Sequence, residues 1–229
     1  MSFAVMQPYL FPYLGYYQMV YAVDKFVFYD DVTFIKGGYI NRNNILMNGK
    51  AQRFTIPVPG MSSNKKINEL RFDINVIKVL KSIEQSYRKA PYFNAIFPII
   101  ESVLSDPNRQ VEHICAQSIK QVFAYLGLEK AFYFSSQLEF DREQSATDKL
   151  FSIAELMKSD DYINSPGGKA LYNKEHFETK GIKLSFIQTE PYSYQQSNFE
   201  FTPHLSMIDV LMWNSKQDVL ALLELYSLD

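Results

Sequence analysis

The sequence predicts an α/β fold: a mixed or mostly parallel sheet with flanking helices, a Rossmann-like start of strand, loop, helix and strand, and a helical C-terminal part. Three observations predict it. The first thirty residues hold two short β-type apolar runs separated by a proline-containing loop and a helix-spaced stretch, the pattern of a βαβ unit. Further along, strand-type and helix-type stretches alternate instead of grouping. An apolar fraction of 47% over 229 residues gives an ordinary globular core, and that length fits one large domain or two small ones.

Taken in order, residues 3–6 form an apolar run closed by Gln7-Pro8, a buried first strand. A loop over residues 9–15 leads into residues 16–23, whose apolar spacing suits a helix, and residues 25–29 form a second strand closed by Asp30-Asp31. Residues 45–47 and 52–58 flank Asn48-Gly49, a hairpin signal, and Pro57 and Pro59 end it. Residues 60–68 are polar and predict a surface loop. From Val76 the period changes, with Ile77 to Tyr87 fitting a helix stopped by Pro91, and a second helical stretch over 91–104 must be kinked or divided at Pro98. Residues 111–126 make the strongest helix, ended by Gly127. Residues 132–134 and Ile163 read as short strands, with a helix over 146–158 between them and Ser145 as its N-cap. A firmer strand covers 184–188, and helices over 206–213 and 216–226 close the chain. No internal repeat, low-complexity tract or linker divides the sequence, so residues 1–229 read as a single α/β domain.

Charge and composition narrow the function. Lys and Arg number 23 against 25 Asp and Glu, a formal charge of −2, with no basic run longer than Lys65-Lys66. A nucleic-acid binder draws most of its affinity from phosphate neutralisation, so nucleic acid is not an expected partner. Cys115 is the only cysteine, which excludes an internal disulfide and a multi-thiolate zinc site; in its apolar helical stretch it reads as core. The opening lacks a basic segment, and Pro8 and Pro12 interrupt its apolar run, so no signal peptide is expected there. No window has the apolar length of a membrane span. A cytoplasmic protein without membrane insertion is the expectation, and an oligomer is compatible with it. Aromatic content is high, with 16 Tyr and 18 Phe against one Trp. Tyr suits pockets for polar ligands such as sugars, though a Tyr-rich core has the same composition.

Polar residues cluster in four places. The first is Gln7 with the loop Tyr9, Tyr13, Gly15 and Tyr16, at the carboxyl end of the first strand, where α/β sheets hold ligands. Gly15 at the following helix start would offer free N–H groups to an anion. The second is Asp30 and Asp31, with Lys36, Asn41, Arg42, Asn43 and Asn44 close behind. An acidic pair can hold a cation, act as a base or grip hydroxyls, and an Arg can clamp a carboxylate or phosphate. A salt bridge bracing a long loop would use the same residues. The third is Asn164 to Lys169, containing Gly167 and Gly168 and leading to Tyr172; it lacks the Walker spacing and also fits a plain strand-to-helix turn. The fourth runs from His204 through Ser206 to Asp209, a carboxylate in an otherwise apolar helix that needs a partner or a task. His113 and His176 stand beside charged neighbours and read as solvated, which leaves His204 as the histidine to test as a base. No His pair has metal-ligand spacing and no HExxH, GxSxG or GxGxxG occurs, so no metal site is expected, and metal, serine-hydrolase and dinucleotide chemistry lose ground.

The run MQPYLFPYLGYYQMVYAVDKFVFYDDVTFIKGGYINRNNILMNGKAQRFTIPV resembles the opening of the WbqC-like family of bacterial proteins. DYINSPGGKALY and LSMIDVLMWN resemble that family's later signatures, so the likeness covers nearly the whole chain. It departs at Gly37-Gly38-Tyr39, where the family commonly has a basic residue and Trp after the Lys. The resemblance implies a role in making or modifying nucleotide-linked sugars for bacterial surface polysaccharides of O-antigen type. The leading expectation is a transferase placing an acyl or aminoacyl group on the amino group of a nucleotide-linked sugar. Asp30 or Asp31 would be its base, with His204 as rival. Arg42 and Lys36 would hold phosphates, while Gln7, Asn41 and the Tyr-rich loop would hold sugar and nucleobase. Asn43, Asn164, Gly167, Gly168, Tyr172, Ser206 and Asp209 complete the expected substrate contacts. If the acyl donor is activated on site, ATP and Mg²⁺ would enter with the Asp pair as ligands. The alternatives are an ATP-dependent, AMP-forming ligase or nucleotidyltransferase-like enzyme, and a non-catalytic sugar-nucleotide binder or scaffold.

Overall fold

The computed structural model describes residues 1–229. It opens with β1 (Ser2–Met6), α1 (Leu14–Ala22) and β2 (Lys25–Phe28), the two strands parallel with Phe3 opposite Lys25. Both strands are buried on both faces, which is why they read as continuous apolar runs: Phe3, Val5 and Val27 enter one core, Ala4, Phe26 and Phe28 the other.

The sheet has six strands in the order β5-β2-β1-β6-β7-β8. β5 (Ala131–Phe134), β6 (Asp161–Asn164) and β7 (Lys183–Thr189) are parallel to their neighbours, and the edge strand β8 (Tyr226–Leu228) is antiparallel to β7. The larger core covers one face and is built by α1, α2 (Ile77–Tyr87), α3 (Phe93–Leu104), α4 (Val111–Leu126), α7 (Met207–Trp213) and α8 (Lys216–Glu224). A separate antiparallel hairpin, β3 (Arg42–Met47) and β4 (Lys50–Thr55), packs into the same core. On the other face, α5 (Ala146–Leu156) and α6 (Lys174–Glu178) cover the smaller core.

Local chemistry sets the element ends. Asn48 and Gly49 both take positive φ, 51° and 74°, as a two-residue hairpin turn requires. The Ser145 hydroxyl accepts the Asp148 N–H at 3.1 Å and starts α5. Gly127, at φ 79°, ends α4 by donating its N–H back to the last turn. Cys115 is fully buried in α4, a small apolar residue of the core.

Two elements differ from the sequence reading, and a third settles one of its alternatives. Of kinking or dividing the helix, Pro98 does not divide α3, because Pro98 and Asn94 both face solvent. The carbonyl that loses its partner there belongs to the exposed Asn94, where water can reach it, while Ile96 and Ile100 stay packed. The last helix stops at Glu224, and the residues after Leu225 become β8, since β7 would otherwise expose an unpaired edge. The short helix α6 carries only one buried residue, Phe177, too little for a periodic signal. No helix is long and apolar enough to cross a membrane.

Strand order locates the site. From β1 the sheet grows through β2 and β5 to one side and through β6, β7 and β8 to the other. Connections therefore leave the carboxyl ends of β1 and β6 in opposite directions and open a crevice there, the usual ligand position in such sheets.

Candidate functional site

A cleft of about 540 Å³ fills this crevice. Tyr9, Tyr13, Gly15 and Tyr16 come from the loop after β1 and the start of α1, Ser165 and Pro166 from the turn after β6, and Gln188 to Tyr192 from the end of β7. Pro203 and His204 close the far side. A larger cavity of about 690 Å³ lies between α5 and the turn after α6, at the amino-terminal end of β6 and β7. We favour the smaller one because its position follows from the topology and aromatic rings wall it.

Two glycines, one lining the cleft and one just behind the β6 turn, are fixed by close approach. A Cβ on Gly15 would stand 2.6 Å from the Tyr13 ring and 2.9 Å from Thr189 Oγ1, so only glycine lets α1 start this near β7. A Cβ on Gly168 would stand 2.4 Å from the Asn164 side-chain amide, whose oxygen accepts the Ser165 N–H at 2.7 Å. Gly167, by contrast, is exposed with open space around it. Thr189 is held by donating to Gln18 Oε1 at 2.6 Å, and Gln18 in turn donates to the carbonyls of Leu222 and Leu225. Gln7 supports the cleft from below. Its carbonyl accepts the Tyr16 hydroxyl at 2.9 Å, and its Oε1 is buried with no partner.

Two residues bordering this region hold left-handed backbone without being glycine: Phe11 at φ 40° and His204 at φ 59°. Each costs roughly 1–3 kcal/mol and persists only where the surroundings dictate it. The surroundings of Phe11 are explicit. Its N–H donates to Ser118 Oγ at 2.9 Å, and its carbonyl accepts Asn43 Nδ2 at 2.7 Å and Ser206 Oγ at 2.6 Å. The next turn is tied as well, with Met207 N–H donating to the Pro12 carbonyl at 2.8 Å. Asn43 and Ser206, read from sequence as substrate contacts, are thus buried props that lock the Tyr-rich loop to the segment carrying His204. Ser206→Ala removes this donor and also the N-cap of α7, whose Ile208 N–H donates to Ser206 Oγ. It is expected to cost about 2–3 kcal/mol by denaturant unfolding. A loss within experimental error would show that the loop is held without Ser206.

The acidic pair has a different setting. Asp30 is buried and accepts from the Ser135 and Ser136 hydroxyls at 3.0 and 2.6 Å and from the Ser136 N–H at 3.0 Å. Ser135 Oγ is also within hydrogen-bond reach of Asp31, so its single proton serves one of the two carboxylates at a time, and Asp31 accepts from Arg142 Nε at 3.1 Å. Arg142 also donates to the carbonyls of Ser135, Leu138 and Phe140. The pair ties the carboxyl end of β2 to that of β5, and the charge partner is Arg142 rather than Arg42. Arg42 donates to the Gly38 carbonyl at 2.9 Å, Asn41 to the Ile56 carbonyl at 2.9 Å, and Lys36 is exposed on the intervening loop. None of these residues lines the cleft.

Asp209 is fully buried in α7. Its oxygens accept from the Tyr87 and Tyr194 hydroxyls, each at 2.8 Å, and from Gln196 Nε2 at 2.7 Å. Burial pushes its pKa up, and the three donors oppose that rise. Tyr172 packs edge-on against Tyr162 and Phe177 in the smaller core. His113 pairs with Asp106 at 3.0 Å and His176 is exposed, both away from the cleft.

Two features were not found by reading the sequence. The cleft wall from Gln188 to Tyr192 comes from the end of β7, a strand that the sequence locates but whose place in the sheet, next to β6, it cannot give. The other is Glu112, in the first turn of α4, with a carboxyl pushed up to about 7. Burial is the main cause and the nearby Asp30 charge adds to it, while its own backbone N–H and Arg71 pull the other way.

Fold and site together define a doubly wound α/β protein with a ligand-sized cleft at its switch point. The chain belongs to the WbqC-like protein family, whose model matches residues 7–221. It is similar to an uncharacterized protein, Rv1507c, of Mycobacterium tuberculosis, at 22% identity over 213 residues that cover 91% of each chain. No solved structure matches it.

Proposed function

We propose that the protein is a transferase that holds a nucleotide-linked amino sugar in this cleft and places an acyl or aminoacyl group on its amino group. The setting would be the making of a bacterial surface polysaccharide of O-antigen type, as the family implies. The observation that carries the reading is the cleft itself: Tyr9, Tyr13, Tyr16 and Tyr192 around an exposed imidazole, His204, at the sheet's switch point. Tyr rings pack on sugar C–H faces, and the hydroxyls of Tyr9 and Tyr13 would reach sugar oxygens, while that of Tyr16 is held by the Gln7 carbonyl. In the reaction, the sugar amine attacks the acyl carbonyl and a C–N bond forms. The donor's leaving group departs with the electron pair of the broken bond, and the amine proton passes to the His204 imidazole. Asp30 and Asp31 rank below His204 as base because serine hydroxyls and Arg142 already occupy their oxygens. No Lys or Arg lines the cleft, so the diphosphate would rest on the amides at the start of α1 near Gly15.

The test is thermal unfolding with nucleotide-linked amino sugars, followed by acyl transfer assays on wild type and His204→Ala. A ligand at a hundred times its dissociation constant should stabilise the fold by about 2.7 kcal/mol. His204→Ala should keep that stabilisation and lose about 100-fold or more in turnover. Silence from every such nucleotide would remove the substrate class, and full turnover without His204 would remove the base. The bonding of Asp30 and Asp31 also favours a second reading, a non-catalytic sugar-nucleotide binder, in which ligand stabilises the fold and no acyl transfer follows. An ATP-dependent ligase or nucleotidyltransferase ranks lower. A triphosphate with Mg²⁺ calls for cationic and carboxylate side chains, and of these the cleft has only Glu190.

A further inference from the structure

The 35 residues from Val32 to Lys66 hold six Lys and Arg and no Asp or Glu. The rest of the chain has 17 cations against 25 acids, so charge is strongly polarised although the net value is only −2. None of the six enters an ion pair. Five are exposed and Arg42 is partly buried. Lys50 and Arg53 stand on β4, while Lys36, Arg42, Lys65 and Lys66 lie on or beside the two loops that flank the hairpin.

Main-chain bonds join these loops into one surface. Thr33 pairs with Lys66, the Phe34 N–H donates to the Lys65 carbonyl at 2.8 Å, and the Ile56 N–H donates to the Asn41 carbonyl at 2.9 Å. Phe34, Ile40, Ile56 and Val58 are buried and pin both loops to the larger core. Between those anchors three large apolar side chains turn outward: Ile35, Tyr39 and Met61 are 48%, 48% and 45% exposed. Cations stand among them. The Arg42 guanidinium comes within 3.3 Å of the Cβ position of Gly37, and the Lys65 ammonium within 3.6 Å of that of Gly60, the neighbour of Met61. Glu69 accepts the Lys66 N–H at 2.8 Å and so offsets Lys66, which leaves Lys36, Arg42 and Lys65 without an acidic partner.

An apolar side chain alone on a surface needs no explanation, but three held outward by anchored loops among unpaired cations form a composite face. A nucleic-acid strand would use the same cations but calls for rings on which bases stack, and only Tyr39 supplies one. Ile35 and Met61 gain from a partner by leaving water for an apolar phase.

We propose that this face docks the protein on an anionic lipid bilayer, with Ile35, Tyr39 and Met61 entering the interface and Lys36, Arg42 and Lys65 lying against lipid phosphates. The contact is peripheral and requires no spanning helix. Apolar insertion and attraction to anionic headgroups reinforce each other, as stable attachment by weak anchors requires. No residue from Val32 to Lys66 lines the cleft, and the docking does not depend on what the cleft binds.

The experiment sediments the full chain with vesicles of phosphatidylcholine alone, or of equal parts phosphatidylcholine and phosphatidylglycerol. Binding is expected to the mixed vesicles only, and it should weaken as sodium chloride rises. Lys36→Gln/Lys65→Gln should weaken it about tenfold or more. Ile35→Ser/Met61→Ser keeps every charge and should weaken it about fivefold or more. All four side chains are exposed, so both double variants are expected to fold, and unchanged melting temperatures check it. No sedimentation with the mixed vesicles, or either double variant binding as wild type does, would overturn the proposal. So would saturable binding of a single-stranded RNA oligonucleotide that the charge variant loses and the apolar variant keeps, since that assigns the face to nucleic acid.

Discussion

Asp209→Ala is expected to be the most destabilising single substitution considered for this chain, at roughly 3–5 kcal/mol. The carboxylate is fully buried, and the Tyr87 hydroxyl, the Tyr194 hydroxyl and Gln196 Nε2 all donate to it. Removing it strands three donors where water cannot replace the acceptor. The consequence spreads because each donor has a second duty. Tyr87 Oη accepts the Leu46 N–H at 2.8 Å in β3, and Gln196 Oε1 accepts the Thr202 N–H at 2.7 Å in the segment before His204. For a chain of this size, the melting temperature should fall by roughly 10 °C or more. Tyr194→Phe should cost only about 1 kcal/mol, because two donors still hold the carboxylate. Thermal unfolding of both variants decides the matter. If Asp209→Ala melts within a degree or two of wild type, the network does not hold α7 against α2, and another account of the buried acid is required.

Asp209 also shows what the sequence can and cannot say about this protein. A carboxylate inside an apolar helix announces that something unusual is near, but its partners lie 122, 15 and 13 residues away in the chain. Periodicity sees local structure, and the elements it predicts best are those whose burial pattern is self-contained. α4 and α2 run over the predicted residues because each carries a regular apolar face and a clear stop in Gly127 or Pro91. β8 is invisible for the converse reason. Three residues, two of them exposed, become a strand only because the edge of β7 is there to pair with.

Site residues follow the same division. The loop after β1 was legible because position in an α/β sheet is a topological rule, and the structure brings Tyr9, Tyr13, Gly15, Tyr16 and His204 to one cleft. Asn43, Ser206, Asp30 and Asp31 look identical in sequence to ligand contacts. A side chain that props a strained carbonyl and one that grips a substrate need the same donors and acceptors, and only burial separates them. Arg142, the partner of Asp31, lies 111 residues from it, too far for a spacing argument that chose Arg42.

Glu112 carries the second large expected effect, and pH reveals it. In the folded chain its carboxyl keeps the proton up to about pH 7, against an ordinary value of 4.5 once unfolded. Between those values the native state binds more protons than the unfolded chain, so its contribution is complete below 4.5 and is lost as pH rises through 7. At about 1.4 kcal/mol per unit, discounted for the partial exposure of the side chain, the loss amounts to about 1–3 kcal/mol. Gln is the neutral isostere of the protonated acid. Glu112→Gln is therefore expected to match wild type near pH 4.5 and to exceed it by about 1–3 kcal/mol at pH 8, in denaturant unfolding across that range. The sign separates this from ordinary loss of a helix-start carboxylate, which would make the Gln variant weaker at high pH through the helix dipole. Arg71 lies on the other side of the balance, since its charge favours the ionised form. Arg71→Gln should steepen the decline of wild-type stability with pH, and parallel profiles for all three proteins would mean that Glu112 titrates as an ordinary surface acid.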